Sequence, residues 1–328
     1  MTRKKGEVIV ADLKRRSKKG LELAKRIMLA EKMEYPRLRE ALEHYLVNWK
    51  EFTHPGFFSI ACEAVGGTPD DALQTQSAIA MLTAAFDLHD DIIDKSEVKQ
   101  EKPTVYGKFG FEMALLLGNA FLIEGLKLFA KSIVIFPKER QKSILETLKK
   151  LLFEVGNAHA LEVGLKERKN IAPSDYLKIT EMKAASIEAD MYIGALLGGG
   201  KDKEVQVLAK VGRILGILAT LRDDLIDVFD IEELRQRIAV QDLPLPLLFA
   251  MQDLKVKEII MDVLSNPKIT ENMVTTLVES TLQADSVVQL RNHMQLLIEE
   301  GLNLLNKLPK TELQHDLQAL LSFMLEGV

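Results

Sequence analysis

Apolar residues return every three or four positions along almost the whole chain, with polar residues filling the places between them. Alternating β-branched runs bounded by turn signals are missing. This pattern predicts an all-α fold: a single-domain bundle over 1–328, with about a dozen helices packed around a central cavity. Breaks are predicted where Gly and Pro interrupt the period, at His54-Pro55-Gly56, Gly66-Gly67-Thr68-Pro69, Lys102-Pro103, Pro137, Ala172-Pro173, Gly198-Gly199-Gly200, Pro244 to Pro246 and Asn266-Pro267. Thr68-Pro69-Asp70-Asp71 and Pro173-Ser174-Asp175 read as helix starts, each with acid in the first turn. Gly198-Gly199-Gly200-Lys201 follows a helix and has no Ser or Thr after the lysine, so it reads as a helix C-terminus rather than a phosphate loop.

Two apolar helical runs, Ala78 to Leu88 and Val211 to Leu221, end in the same acidic pattern. The first leads into Asp90-Asp91-Ile92-Ile93-Asp94, the second into Asp223-Asp224-Leu225-Ile226-Asp227. Residues four apart stack on one helix face, so Asp90 and Asp94 form one carboxylate pair and Asp223 and Asp227 another. Acids at a helix C-terminus oppose the helix dipole and repel one another, and a hard divalent cation relieves both penalties. Mg²⁺ is commonly shared between one or two carboxylates and substrate phosphates. Two such clamps therefore predict a diphosphate substrate, with Asp90, Asp91, Asp94, Asp223 and Asp227 as metal ligands and Asp224 beside them. Ile79, Leu82, Thr83 and Phe86 lie below the first cluster; Gly212, Gly216 and Thr220 form a thin stripe leading to the second. The glycines suit either the wall of an apolar cavity or close helix packing.

Composition narrows the class. Hydrophobic residues make up 47% and charged residues 28%, which suits a globular chain with an ample core. A net charge of -5 argues against nucleic-acid binding. The single cysteine, Cys62, cannot form an internal disulfide, and the expected location is cytoplasmic. The basic stretch from Thr2 to Lys19 reads as a solvated first helix, and no segment is expected to span a membrane. His89 points about 100° away from Asp90 and is not read as a ligand.

With these residues in view, the chain resembles the trans-isoprenyl (polyprenyl) diphosphate synthases over nearly its whole length. Ala78 to Gly118 looks like that family's first aspartate-rich helix and loop, with Lys102-Pro103-Thr104-Val105, Phe109-Gly110 and Gly118-Asn119 following, although Asn119 stands where the family usually has aspartate. Lys183-Ala184-Ala185 resembles the segment whose lysine holds the allylic diphosphate, and Arg222 to Phe229 looks like the second motif. The resemblance implies an isoprenoid-synthase bundle and a homodimer. It also implies that Mg²⁺ and Lys183 draw diphosphate from an allylic prenyl substrate, and that isopentenyl diphosphate attacks the resulting cation.

Departures gather on the acceptor side. Tyr35-Pro36-Arg37 stands for the family's Gly-Lys-Arg, so Arg37 is retained and the lysine lost. Thr83 replaces a histidine, and Lys99-Gln100 replaces a pair of arginines. Arg37, Thr83, Phe86, Lys99, Gln100 and Thr220 remain the expected substrate-binding set. Arg235 and Arg237 follow the second motif in a stretch that differs from the family's. Three alternatives stay open: a terpene cyclase-like enzyme, a prenyltransferase with another acceptor, and a regulatory subunit of a synthase. Aromatics at 6%, with Trp49 the sole tryptophan, are sparse for a cyclase that stabilises migrating cations.

Overall fold

A computed structural model describes residues 2–99, 101–166, 172–229, 245–266, 270–309 and 312–326. The chain is almost entirely helical, as its periodicity predicts. It divides into two compact units. One contains Arg3–Lys149 and Ala189–Ala209; the other contains Lys150–Glu188 and Lys210–Val328 with the first two residues.

The unit holding the first aspartate motif is built from α1 (Thr2–Ala30), α2 (Pro36–Asn48), α3 (Thr53–Ala64), α4 (Leu73–Ile93), α5 (Val105–Phe109) and α6 (Phe111–Ser132). It also takes the first part of α7 (Lys138–Lys166), the later part of α9 (Ala185–Leu197) and the start of α10 (Asp202–Asp227), with α8 (Pro173–Lys183) lying outside it. Its core gathers Met28, Leu42, Leu46, Trp49, Met81, Leu88, Leu117 and Phe121, each at most 6% exposed. α4 packs along α6, whose small residues allow close approach: a Cβ at Gly125 would lie 3.1 Å from the Leu82 side chain. That close packing accounts for the apolar face of α6 turned to α4, while Leu116, Ile123 and Leu126 remain exposed. Phe111–Ile135 has the length and hydropathy of a bilayer-crossing helix by composition alone. Its Ala114, Leu117, Gly118, Phe121, Gly125 and Phe129 are buried, and the helix is a core element.

Several predicted breaks turn out to be helix starts. His54-Pro55-Gly56 forms the first turn of α3, where a proline loses no intrahelical hydrogen bond. Thr68-Pro69-Asp70-Asp71 leads into a short 3₁₀ turn, Pro69–Ala72, before α4 begins at Leu73. α8 begins at Pro173, as expected. Gly199, at φ +84°, ends α9, and the Gly200 N–H returns to the Ala195 carbonyl at 2.9 Å. Lys102-Pro103 forms half of a two-residue hairpin, β1 (Val98–Lys99) with β2 (Lys102–Pro103), which the all-helical reading did not include.

The unit holding the second motif comprises α8, the rest of α7 and α10, and then α11 (Leu245–Ala250), α12 (Leu254–Ser265), α13 (Glu271–Gln283), α14 (Asp285–Leu305) and α15 (Glu312–Phe323). Leu218, Leu221, Leu225, Val287, Met294 and Leu321 are fully buried there. Gly301 lets α14 approach its neighbours closely, since a Cβ would sit 2.8 Å from Leu321 and 3.5 Å from Ile214. The predicted breaks at Pro244 and Pro267, and the Arg235-Gln236-Arg237 segment, lie outside the described residues.

Candidate active site

The first motif occupies the last turn of α4, and Asp94 closes the helix, its N–H donating to the Asp90 carbonyl at 2.8 Å. Asp91 turns inward and is 6% exposed; Asp90 is half-buried and Asp94 exposed. The backbone then reverses sharply. Lys95 takes φ +54°, a left-handed conformation that costs a non-glycine residue about 1–3 kcal/mol. The Ser96 N–H donates to the Asp91 carbonyl at 2.9 Å. The following hairpin brings the Lys99 ammonium to 2.7 Å from Asp91 Oδ1 and 3.6 Å from Asp87 Oδ1. Burial works against its charge, but Asp87 and Asp91 more than compensate and hold Lys99 well above the usual lysine range.

Asp87 escaped the sequence reading. It stands four residues before Asp91 on the same helix face, so α4 carries an additional acid one turn below the motif. Burial, then the charges of Glu51 and Asp90, push its carboxyl up against the pull of Lys99.

Beside these acids lies a pocket of ≈ 290 Å³, bounded by the end of α2, the 49–53 turn, the end of α4 and the hairpin. Tyr45, Trp49 and Phe52 give it an aromatic wall; Lys50, Glu51, Asp87, Asp91, Lys99 and Lys102 give it charge. The Tyr45 hydroxyl and the Trp49 indole N–H are buried without a hydrogen-bond partner. Burial, followed by the nearby charges of Asp87, Glu51 and Asp91, raises Tyr45 well above the normal phenol range, so it keeps its proton.

The other expected residues make contacts of their own. Arg37 donates to the Phe109 carbonyl at 3.3 Å and is not among the residues that line this pocket. The Thr83 hydroxyl bonds back to the Ile79 carbonyl at 3.0 Å, and Phe86 is half-buried. Gln100 lies outside the described residues. Burial lowers the basicity of His89, offset in part by Asn119 and the Leu115 backbone, and its Nε2 is buried without a hydrogen-bond partner.

The second motif ends α10. Asp223 is exposed, Asp224 is 7% exposed and Asp227 is half-buried. Although its surface is exposed, desolvation by the surrounding protein, then the charge of Asp227 one turn on, raises the Asp223 carboxyl, while Arg222 opposes the shift. Arg222 donates to the carbonyls of Phe323, Met324 and Glu326 at 3.1, 3.0 and 2.9 Å, and its guanidinium lies 4.5 Å from the centre of the Phe323 ring. It thereby ties the end of α15 to the residue preceding Asp223. One turn earlier, the Thr220 hydroxyl returns to the Gly216 carbonyl at 3.2 Å. Lys183 ends α8 and pairs with Glu162 at 2.5 Å; Glu162 is another participant that the sequence did not single out.

Among the described residues, no three His, Cys, Asp or Glu side chains form a ready-made metal cage. Both motifs offer crowded carboxylates instead, one with a lysine ammonium bound to it and the other with a carboxyl raised by its neighbour. That donor set suits Mg²⁺, which shares a few carboxylates with phosphate oxygens and retains water.

The polyprenyl synthetase family matches residues 36–281, three-quarters of the chain. The protein belongs to that family. It is 31% identical over 197 residues to a short chain isoprenyl diphosphate synthase of Methanothermobacter thermautotrophicus, an alignment covering 60% of each protein. It is 29% identical over 190 residues to a geranylgeranyl diphosphate synthase of Methanosarcina mazei, covering 58% of each. The geranylgeranyl pyrophosphate synthetase structure from Pyrococcus horikoshii superposes with a TM-score of 0.83 over 99% of this chain and all of that one, at 24% identity. The corresponding Geoglobus acetivorans structure gives 0.81 over 96% of this chain and 99% of that one, at 22% identity. These likenesses establish the fold as that of the prenyl diphosphate synthases.

Proposed function

We propose that the protein is a prenyltransferase that ionises an allylic prenyl diphosphate and joins the prenyl group to isopentenyl diphosphate, releasing diphosphate and a proton from the acceptor. The observation that carries this reading is the retention of both acidic motifs at the ends of α4 and α10, with cationic or raised-carboxyl chemistry at each. Crowded acids of this kind cost stability unless a cation and a phosphate use them. The two matched relatives carry synthase names, which supports the same reading.

In this scheme Asp90, Asp91, Asp94, Asp223 and Asp227 would hold Mg²⁺, which would offset the negative charge that develops on the departing diphosphate. Asp224 supports the second motif, and Lys183 donates to diphosphate oxygens, leaving Glu162 to position its ammonium. Phe86, Thr83 and Thr220 bound the prenyl chain, while Lys99 and the pocket beside Asp91 serve the acceptor. Arg37 and Gln100 remain assigned to substrate by resemblance. Both motifs serve one diphosphate, and 1–328 acts as one catalytic domain. The exposed Leu116, Ile123 and Leu126 of α6, with Val134 and Ile135 beyond it, suit a homodimer face. A cytoplasmic location agrees with the single buried Cys62.

The test is incubation with allylic diphosphates of several lengths, Mg²⁺ and labelled isopentenyl diphosphate. Label in an elongated product is expected; no elongation from any primer overturns the reading. A second reading, transfer to a different acceptor, is favoured by Glu51 and Asp87, two carboxylates in the pocket that repel a diphosphate. Mg²⁺-dependent diphosphate release without elongation would select it. Binding of neither Mg²⁺ nor diphosphate would select a regulatory subunit.

A further inference from the structure

The pocket beside Asp91 is electrically balanced. Lys50, Lys99 and Lys102 face Glu51, Asp87 and Asp91 in its lining, three ammonium groups against three carboxylates. His44 also lines the pocket, with one ring nitrogen 2.8 Å from the Pro103 carbonyl and the other 3.4 Å from the Lys108 ammonium. A multiply charged anion gains little net attraction from such a lining.

Lys99 occupies a special position in that balance. The hairpin carrying it is fixed from both sides: the Thr104 hydroxyl donates to the Ser96 carbonyl at 2.6 Å, and the Thr104 N–H to the Glu97 carbonyl at 2.9 Å. Its ammonium sits on Asp91, the most buried acid of the motif, whose carboxylate needs a counter-charge. Lys102, by contrast, donates to Asn48 at 3.1 Å and leaves the motif alone.

We propose that Lys99 is an internal counterion that competes with divalent metal for Asp91 and, once displaced, turns the neutral pocket into one that accepts an anion. The inference rests on the first motif being a metal site. A divalent ion at Asp91 neutralises that carboxylate and leaves Lys99 to the pocket and Asp87, so the lining gains two positive charges. Anionic acceptor binding then follows metal loading, and Asp87 retains the freed ammonium at the pocket's edge.

Mn²⁺ affinity, read from the free-ion electron paramagnetic resonance signal without substrate, tests the competition. Lys99→Gln should bind Mn²⁺ roughly 1.5-fold to fivefold more tightly than wild type, the range expected for loss of a half-exposed ion pair. Lys102→Gln should match wild type, and Asp91→Asn should bind weakly. Equal or weaker binding by Lys99→Gln overturns the inference, as does an equal gain in Lys102→Gln, which would reflect general pocket charge. If Asp91→Asn binds like wild type, the metal reading of the motif falls as well. Mass-spectrometric acetylation of the wild-type protein avoids any folding defect in the variants. Mg²⁺ should raise labelling of Lys99 several-fold and leave Lys102 unchanged; unchanged Lys99 labelling overturns the inference.

Discussion

His54 and Asp190 are 136 residues apart in sequence, yet the imidazole Nδ1 lies 2.5 Å from the carboxylate Oδ2. Asp190 is 5% exposed, so the pair fastens the first turn of α3 to α9 inside one unit. The same turn is held by Glu51, which accepts the N–H groups of Thr53 and His54 at 2.7 and 3.0 Å and also lines the pocket. Burial disfavours the imidazolium, but the charge and hydrogen bond of Asp190 win, and His54 is raised to about 9.

A group whose folded pKa lies above its unfolded value contributes stability that is complete below the unfolded value and disappears as pH rises through the folded one. For His54 that window runs from 6.5 to about 9. Thermal or urea unfolding should show on the order of 3 kcal/mol lost across it. His54→Gln should be less stable at pH 6 and should flatten the profile between pH 6.5 and 9. An unchanged slope in that variant would show that another group titrates.

If both motifs serve one diphosphate, neither can substitute for the other. Asp90→Ala and Asp223→Ala should each reduce turnover by about a thousandfold or more, since each removes part of the charge stabilisation on the leaving group. Both side chains reach solvent, so far-ultraviolet circular dichroism and the unfolding midpoint should change little. Substantial activity in either variant would refute the shared-diphosphate mechanism.

Lys183 is held in place before any ligand arrives: its partner Glu162 is 17% exposed and leaves the ammonium 29% exposed. Lys183→Met should raise KM for the allylic diphosphate roughly tenfold to a hundredfold, the loss of one charge-assisted hydrogen bond of about 1.5–3 kcal/mol. Glu162→Gln keeps the hydrogen bond but weakens the pairing, and a smaller KM increase is expected with kcat nearly unchanged. A large kcat loss in Glu162→Gln would give that carboxylate a more direct part in the reaction.

The helical architecture and both acidic motifs were legible because their signals are local: a 3.6-residue apolar period, and acids at i and i+4 where that period stops. Asp87 carried the same i, i+4 signal toward Asp91, but it falls inside the run read as apolar from Ala78 to Leu88 and was passed over. The contact of Lys99 with Asp91 was not legible, because it depends on the left-handed turn at Lys95, a geometry no spacing rule encodes. The His54–Asp190 and Lys183–Glu162 pairs were hidden because each depends on helices meeting far from their sequence neighbourhood. The apolar length of α6 has the opposite origin. Its small residues satisfy α4, and composition alone cannot distinguish that partner from lipid.

Gly216 decides between the two readings of the glycine stripe on α10. Within its unit a Cβ at this position would stand 2.8 Å from the Ala184 Cβ and 2.9 Å from its Cα, so α10 packs against the residue next to Lys183. An alanine in an open helix interior gains about 1 kcal/mol over glycine, whereas forcing a methyl group into a packed contact costs about 1–3 kcal/mol. Packing should win, because the opposing atoms include backbone that cannot rotate away. Gly216→Ala should therefore lower the unfolding free energy by up to about 2 kcal/mol. By displacing Ala184 it should also raise KM for the allylic diphosphate in the same direction as Lys183→Met, though by less. A neutral or stabilised Gly216→Ala with unchanged KM would mean that Gly216 faces open space, and the stripe would then belong to a cavity wall.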